Sequence, residues 1–442
     1  MTQSRSVVRR RTVLKAAAAI SAPYFVPAHV LGQNAPSNTL RIGSIGTGRM
    51  GRGDMREAVY RGLDSKLNAR VVAVADVNIK RAQQAKDTIE DIYEKKLGAG
   101  KYESVKAYQD FRELLARDDI DGVTISTPDH QHALCGVAAA NAGKDIYIQK
   151  PFTYSIVEGQ KLVAAVRKNK VVLQTGSQQR SDQRFRRVCE LVRNEYIGKL
   201  QSVEVVIPTD RGRADPAPMP VPENLNYDLW MGPTSVEPYC EARVHSHHHY
   251  NRPGWLQIEK YCRGMITGWG AHMYDIAQWG LGTDFDSGPI SITAKGEFPD
   301  RGLFDVHVGY SAEAEYANGV KMISHNGDAG VKFIGDKAWV WVTRGKWDAS
   351  DKDILRTQFK DSDIHLSVSR NHMMNFLECM RTRKDPIAPA EVGHRSNSVC
   401  VIHHIAMKLG RKLQWDPKTE QFVNDAEANK MLDFDHREPY TV

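Results

Sequence analysis

Cysteine is sparse: six residues (Cys135, Cys189, Cys240, Cys262, Cys379 and Cys400) in a chain of 442, with no two at close spacing. This excludes a thiolate zinc site and a dense disulfide framework. Cys240 with Cys262 is the one pair suggesting a bridge after export; buried free thiols are the plainer expectation. Long apolar runs are missing as well. The only candidate, near the N-terminus, is short and broken by Pro23 and Pro27, whereas a membrane span needs ~20 apolar residues. Nor is there a charge excess outside the first residues. Of the formal +7, the first 36 residues supply +5 through Arg5, Arg9, Arg10, Arg11 and Lys15, with no acid among them. The remainder, near +2, gives no reason to expect nucleic acid or a membrane surface as partner. Internal repeats and low-complexity tracts are absent.

What is present begins with that basic cluster. Arg10-Arg11-Thr12-Val13-Leu14-Lys15 precedes a modest apolar stretch and a small-residue site. The layout resembles a twin-arginine export signal. Residues 1–35 are therefore expected to be signal and linker, the twin-arginine machinery a partner, and the mature protein periplasmic or otherwise exported. About 400 residues remain, enough for two or three domains at ~150 residues each.

The stretch "LRIGSIG" reads as a strand, and Gly46-Thr47-Gly48-Arg49-Met50-Gly51 then forms a G-x-G-x-x-G leading into a helix. Such glycines permit a tight turn and close approach of backbone N–H groups to a pyrophosphate, with the helix N-terminus adding partial positive charge. The next apolar run, "ARVVAVADV", contains Asp76, 25 residues past Gly51, where an acid accepts hydrogen bonds from an adenosine ribose. Asp76 favours NAD; nearby Lys80 and Arg81 leave NADP open. Further alternation follows: "KAYQDFRELLAR" as helix, "IDGVTIST" as strand, "DHQHALCGVAAANAG" as helix, "KDIYIQK" as strand. Strand and helix trading places at this spacing implies parallel βαβ units. Residues 38–152 are thus expected to form a dinucleotide-binding Rossmann domain. Thr127, Pro128 and His132 close one strand, and Gln149 and Lys150 close the next, where open α/β sheets bind ligands. Lys150 precedes a proline, which biases it away from helix.

From residue 153 to 442 strand signals dominate, with Asn318-Gly319 and Gly335-Asp336 as hairpin turns. The expected class is α/β: a Rossmann domain, then an α+β domain with a large, mostly antiparallel open sheet, its tail packing back on the first domain. An apolar open face would favour a homo-oligomer, dimer or tetramer. Arg180 in "GSQQRS" is a candidate contact to a sugar or carboxylate, a surface charge being the alternative. Trp255 is a candidate to stack on a sugar face, or else core. "HSHHHY" (245–250) has no acid or cysteine at ligand spacing beside it, so no metal is expected.

As a set, the motifs resemble those of the Gfo/Idh/MocA oxidoreductases, relatives of glucose–fructose oxidoreductase and inositol dehydrogenase. The residues are Gly46 to Gly51, Thr127-Pro128-Asp129-His130-Gln131-His132, Gln149-Lys150-Pro151, "GWGAHMYDIAQWGLG" (268–282), and the tail from "NHMMNFLECM" onward. The resemblance implies that Lys150 and His272 share the proton work of hydride transfer. Two positions depart from the family pattern. Gln149 stands where a glutamate usually precedes the lysine, and Gly268 stands four residues before His272, where the family often has an aspartate. Asp275, three residues after His272, either orients the imidazole or serves packing.

The expected function is an exported NAD(P)-dependent oxidoreductase with a tightly bound cofactor, acting on a secondary hydroxyl of a sugar, glycoside or cyclitol. A second reading is an NAD-dependent glycoside hydrolase using transient C3 oxidation and elimination. A third, of another class, is a non-catalytic binding protein on the same fold.

Overall fold

Six short strands form the first sheet, and all but one edge strand are rich in apolar residues and buried on both faces, the mark of a parallel sheet covered by helices. In the computed structural model they are β1 (Leu40–Ile45), β2 (Ala69–Ala75), β3 (Lys106–Tyr108), β4 (Gly122–Ile125), β5 (Asp145–Ile148) and β6 (Leu173–Thr175), in the order β3-β2-β1-β4-β5-β6. All their pairings are parallel. The order reverses between β1 and β4, so a crevice opens beyond their carboxyl ends. The structure describes residues 38–249, 254–285 and 288–442. The proposed export signal therefore lies outside the described residues, and every count below refers to the described ones. Leu40–Val442 is one compact unit.

Two expectations shift here. "KAYQDFRELLAR" is not one helix: Lys106–Tyr108 pairs with Ala73–Ala75 as an edge strand. The helix is only Phe111–Leu115, started by Asp110, whose carboxylate accepts from the Arg112 N–H. Ladder hydrogen bonds outweigh a few tenths of a kcal/mol per residue of helix propensity. The first sheet also runs past residue 152. The helix Ile156–Asn169 returns the chain for β6 to pair with β5, so this sheet takes in residues through Thr175.

The second sheet has nine strands: β7 (Leu200–Ile207), β8 (Pro289–Glu297), β9 (Gly309–Tyr316), β10 (Lys321–Asn326), β11 (Gly330–Gly335), β12 (Trp339–Thr343), β13 (Lys346–Ala349), β14 (Leu413–Asp416) and β15 (Gln421–Phe422). Their order is β13-β12-β11-β7-β10-β9-β8-β14-β15. β7 and β10 pair in parallel, and the other pairings are antiparallel. Asn318-Gly319 turns β9 into β10, and Gly335-Asp336 begins the turn into β12. Side chains alternate by face: Ala312, Ala314 and Met322 enter the core, while Glu313 and Lys321 pair on the outer face at 2.9 Å. The tail reaches both cores. Met373, Phe376 and Leu377 pack with Met55 and Val59 beside the first sheet, and Val399, Ile402 and Ile405 lie in the core under the second sheet.

The helix Ile156–Asn169 starts with a complete capping box: the Glu158 N–H donates to Ser155 Oγ, and the Ser155 N–H donates to Glu158 Oε2 at 2.9 Å. Burial, opposed by the Ser155 N–H, pushes the Glu158 carboxyl from its ordinary 4.5 up to about 7. Because the folded value is raised, the stabilisation is fully present below pH 4.5 and is lost as pH rises through about 7. Glu158→Gln, which keeps the acceptor, should flatten that loss in thermal melts taken across this pH window. An unchanged pH slope would contradict the assignment.

Candidate functional site

The crevice begins with two glycines that no other residue could replace. Gly46 has φ +80°, and a Cβ there would lie 2.8 Å from the Ser126 carbonyl. At Gly51 a Cβ would come within 1.9 Å of the Gly46 carbonyl oxygen. The first turn of the helix Arg49–Gly62 therefore lies in backbone contact with the turn that ends β1. Gly48 caps that helix with no side-chain hydrogen bond, and its first turn holds no acid. Its leading N–H groups are suited to an anion. Backbone bonds extend the ladder past the strands: Gly46 N–H to Ala75 O, Ser126 N–H to Ile45 O and Gln149 N–H to Ile125 O, at 2.8–2.9 Å. They hold the three motif loops side by side.

A long cleft runs over these loops, about 1370 Å³ with its open mouth included. Gly46, Gly48, Arg49, Met50, Asp76, Thr127, Pro128, Gln149 and Lys150 line it. Asp76 Oδ2 accepts from the Thr47 N–H at 2.8 Å and its hydroxyl at 3.0 Å, and Oδ1 accepts from the Asn78 N–H at 2.9 Å. Thr47 is buried and serves to orient this carboxylate. One Arg81 nitrogen donates to the carbonyls of His245, Ser246 and His249 at 3.0, 2.7 and 2.9 Å. Arg81, which itself lines the cleft, thus ties the histidine-rich loop over it. The glycine contacts, the uncapped helix start and the oriented Asp76 fit NAD: the amides near Gly48 would hold its diphosphate and Asp76 its adenosine ribose.

A second chamber, about 1310 Å³ with its open mouth included, adjoins the cleft. Arg49, Met50, Lys150 and Gly268 line both. Its other walls include Gln178, Gln179, Trp269, His272 and Arg344. His272, in the helix Gly270–Leu281, meets Trp269 edge-on at 6.1 Å between ring centroids. Lys150 and His272 therefore face one chamber, with Lys150 at its junction with the cleft.

Four residues singled out from sequence lie elsewhere. His132 is buried and does not line the cleft: Nδ1 is 2.6 Å from Pro151 O and Nε2 3.1 Å from Thr127 O, and burial lowers its pKa to about 4. It clamps the two motif loops from behind. Arg180 and Asp275 are not at the chamber either. Asp275 accepts from Arg180 at 2.8–3.0 Å and from Ser396 at 2.7 Å, and Arg180 also pairs with Asp284 at 2.9 Å. This ion triad is sealed in the core, which places Arg180 and Asp275 off the chamber wall and engages their charges with one another. Trp255 lines the long cleft with Leu225 and Trp230, not the second chamber. All six cysteines are free and buried.

Sequence reasoning overlooked Asp54, Asn78, Trp269 and Arg344. Asp54 was visible as an acid on the buried stripe 51, 54, 55, 58, 59, 62 of its helix. Arg344, at the β12–β13 turn and 4.7 Å from the Trp269 ring, carries no such signal, because only the tertiary fold brings that hairpin to the chamber.

A nucleotide cleft on a Rossmann sheet, joined to a chamber under a second open sheet, defines a dinucleotide-dependent oxidoreductase architecture. A model of the oxidoreductase family's NAD-binding Rossmann fold matches residues 40–177, and one of its C-terminal alpha/beta domain matches residues 209–442. The chain belongs to the Gfo/Idh/MocA oxidoreductase family. It is 30% identical over 182 residues to myo-inositol 2-dehydrogenase of Thermotoga maritima, covering 41% of this chain and 47% of that protein. It is 29% identical over 163 residues to an inositol 2-dehydrogenase/D-chiro-inositol 3-dehydrogenase of Halalkalibacterium halodurans, covering 36% and 42%. The matched stretch thus spans a little under half the length of these relatives. Among solved structures, the WlbA dehydrogenase of Bordetella pertussis in complex with NADH and UDP-GlcNAcA is similar in fold, with TM-score 0.61 and 16% identity over 86% of this chain and 99% of that one. An aldose-aldose oxidoreductase of Caulobacter crescentus gives TM-score 0.59 and 15% identity over 85% and 99%.

Arg180→Met would leave Asp275 and Asp284 buried without their cation. It should cost about 3–5 kcal/mol at neutral pH, read from urea denaturation, with partial recovery at low pH as the carboxylates protonate. Unchanged stability would return Arg180 to the list of substrate contacts.

Proposed function

We propose that this protein is an exported, NAD-dependent oxidoreductase acting on a secondary hydroxyl of a sugar, glycoside or cyclitol, with a tightly held cofactor. The observation that carries this reading is Lys150 at the junction of the nucleotide cleft and the chamber that His272 faces. Bound NAD supplies the hydride acceptor. Lys150 and His272 divide the rest: one takes the hydroxyl proton, and the other donates a hydrogen bond to the oxygen as it gains negative charge. Gln178, Gln179 and Arg344 offer hydrogen bonds to the remaining hydroxyls, and Trp269 offers an aromatic face. Relatives named for inositol and aldose substrates support a polyhydroxylated substrate. Retention of the cofactor is supported by Arg81, whose bonds draw the loop 245–249 over the cleft. A retained cofactor suits export through the twin-arginine pathway, the role assigned to residues 1–35. The outer face of the second sheet, with Ile323 exposed, is the surface through which a homo-oligomer would form.

One observation favours a glycoside-cleaving outcome as the second reading. Gly268, which lines the chamber, puts no carboxylate where the resemblance leads one to expect an aspartate. Oxidation would then be transient, with the aglycone lost by elimination.

Lys150→Met should leave NAD affinity within about twofold while turnover falls by about 10²–10⁴-fold, measured with a sugar panel scored for keto products and for glycoside cleavage. Near-normal turnover in this variant refutes the assignment. Mass spectrometry of the denatured, exported protein should release stoichiometric NAD; its absence counts against a retained cofactor.

A further inference from the structure

The helix Arg49–Gly62 carries an acid where its buried stripe should be apolar. Asp54 lies among Gly51, Met55, Ala58 and Val59 on that face. A buried carboxylate is costly unless it is hydrogen-bonded, and this one is. Ser126 Oγ donates to Oδ2 at 2.8 Å, and Gln149 Nε2 reaches Oδ2 at 2.9 Å and Oδ1 at 3.1 Å. Gln149 in turn accepts the Lys150 N–H on Oε1 at 3.3 Å. Asp54, Gln149 and Lys150 therefore form one connected array beneath the point where cleft and chamber meet. A neutral amide stands next to the lysine in sequence, and the carboxylate comes from the facing helix.

We propose that Asp54 is the positioning residue of the site: held by Ser126 and Gln149, it supplies the negative charge that stabilises the Lys150 ammonium and fixes Gln149, and thereby the backbone of Lys150. This rests on the reading of Lys150 given above. Asp54 and Lys150 attract one another electrostatically, and burial, opposed by Ser126, Gln149 and Lys150, holds the Asp54 carboxyl at about 6, so it is ionised in neutral solution. Other charged or titratable groups also face this space. Arg49 and His272 line the same space, and neither carries a negative charge. His132 and Cys400, which also feel Lys150, are buried, the histidine pKa lowered and the thiol raised. Asp182 is occupied by Arg184 at 2.9 Å, and Asp76 by Thr47 and Asn78. Glu57 and Tyr147 act on Asp54 itself, Glu57 as a like charge.

The test exchanges the amide and the acid. The full chain is made as wild type, Asp54→Asn, and the double variant Asp54→Asn/Gln149→Glu, which returns the carboxylate to the lysine's own strand. Acylation of Lys150 by trace acetic anhydride at pH 8, followed by peptide mass spectrometry, reports how firmly the ammonium is held, because only the neutral amine reacts. Asp54→Asn should label at least about threefold faster, and the double variant should return toward wild type. NAD affinity should stay within about twofold in both, which also shows that the variants are folded. Unchanged labelling in Asp54→Asn, or faster labelling that the exchange fails to reverse, overturns the proposal. With an identified substrate, kcat should fall in Asp54→Asn with little change in KM and recover in the double variant; a kcat equal to wild type in the single variant also overturns it. Labelling needs no substrate, so a chain that shows the labelling pattern but oxidises no sugar refutes the functional reading and leaves this pairing standing.

Discussion

A carbonyl oxygen occupies the space that any side chain at residue 51 would need. That contact, Gly51 against Gly46, lets the start of the helix Arg49–Gly62 lie directly on the turn that ends β1. Everything at the site is measured from it. It brings the helix start to the crevice, so that its first amides face an anion instead of a capping side chain. It also sets Asp54, one turn further along, against Ser126 and Gln149 at the ends of the neighbouring strands. A bulkier residue at position 51 would lift the helix and separate the acid from the loop that carries Lys150.

Buried polar groups divide between two tasks. Around Lys150 they are arranged in chains that end at the cleft: Thr47 and Asn78 on Asp76, Ser126 and Gln149 on Asp54, Pro151 and Thr127 on His132. Each fixes a backbone segment that a bound dinucleotide would touch. The triad of Arg180, Asp275 and Asp284 is closed on itself and touches neither chamber nor cleft. Its cost of desolvation is offset by mutual attraction and by the Ser396 hydroxyl. It joins the segment after β6 to the helix that carries His272.

Much of the first domain was legible from residues alone. G-x-G-x-x-G between a strand and a helix, an acid after the second strand, and fully apolar strands at short spacing have few other solutions. The Gly loop, Asp76, Thr127, Pro128, Gln149 and Lys150 meet in one cleft because strand order and right-handed crossovers leave their carboxyl ends together. Asp54 was overlooked, although it stands as an acid on the buried stripe of its helix. The edge strand β3 was not legible, since three residues carry too little pattern to compete with the helix signal around them.

The sequence by itself determined most of the strands and helices, that a parallel dinucleotide-binding sheet comes first, and which loops lie at its carboxyl edge. These follow from local periodicity and from glycines whose backbone no other residue can adopt. Only the tertiary structure decided which polar side chains reach the chamber. Arg180 and Asp275 look available in sequence and are sealed together, while Arg344 looks like a turn residue and stands at the chamber wall. The reason is physical: a charge is free to meet a ligand only if no opposite charge lies closer, and that depends on residues about 95 positions apart whose approach no local pattern records.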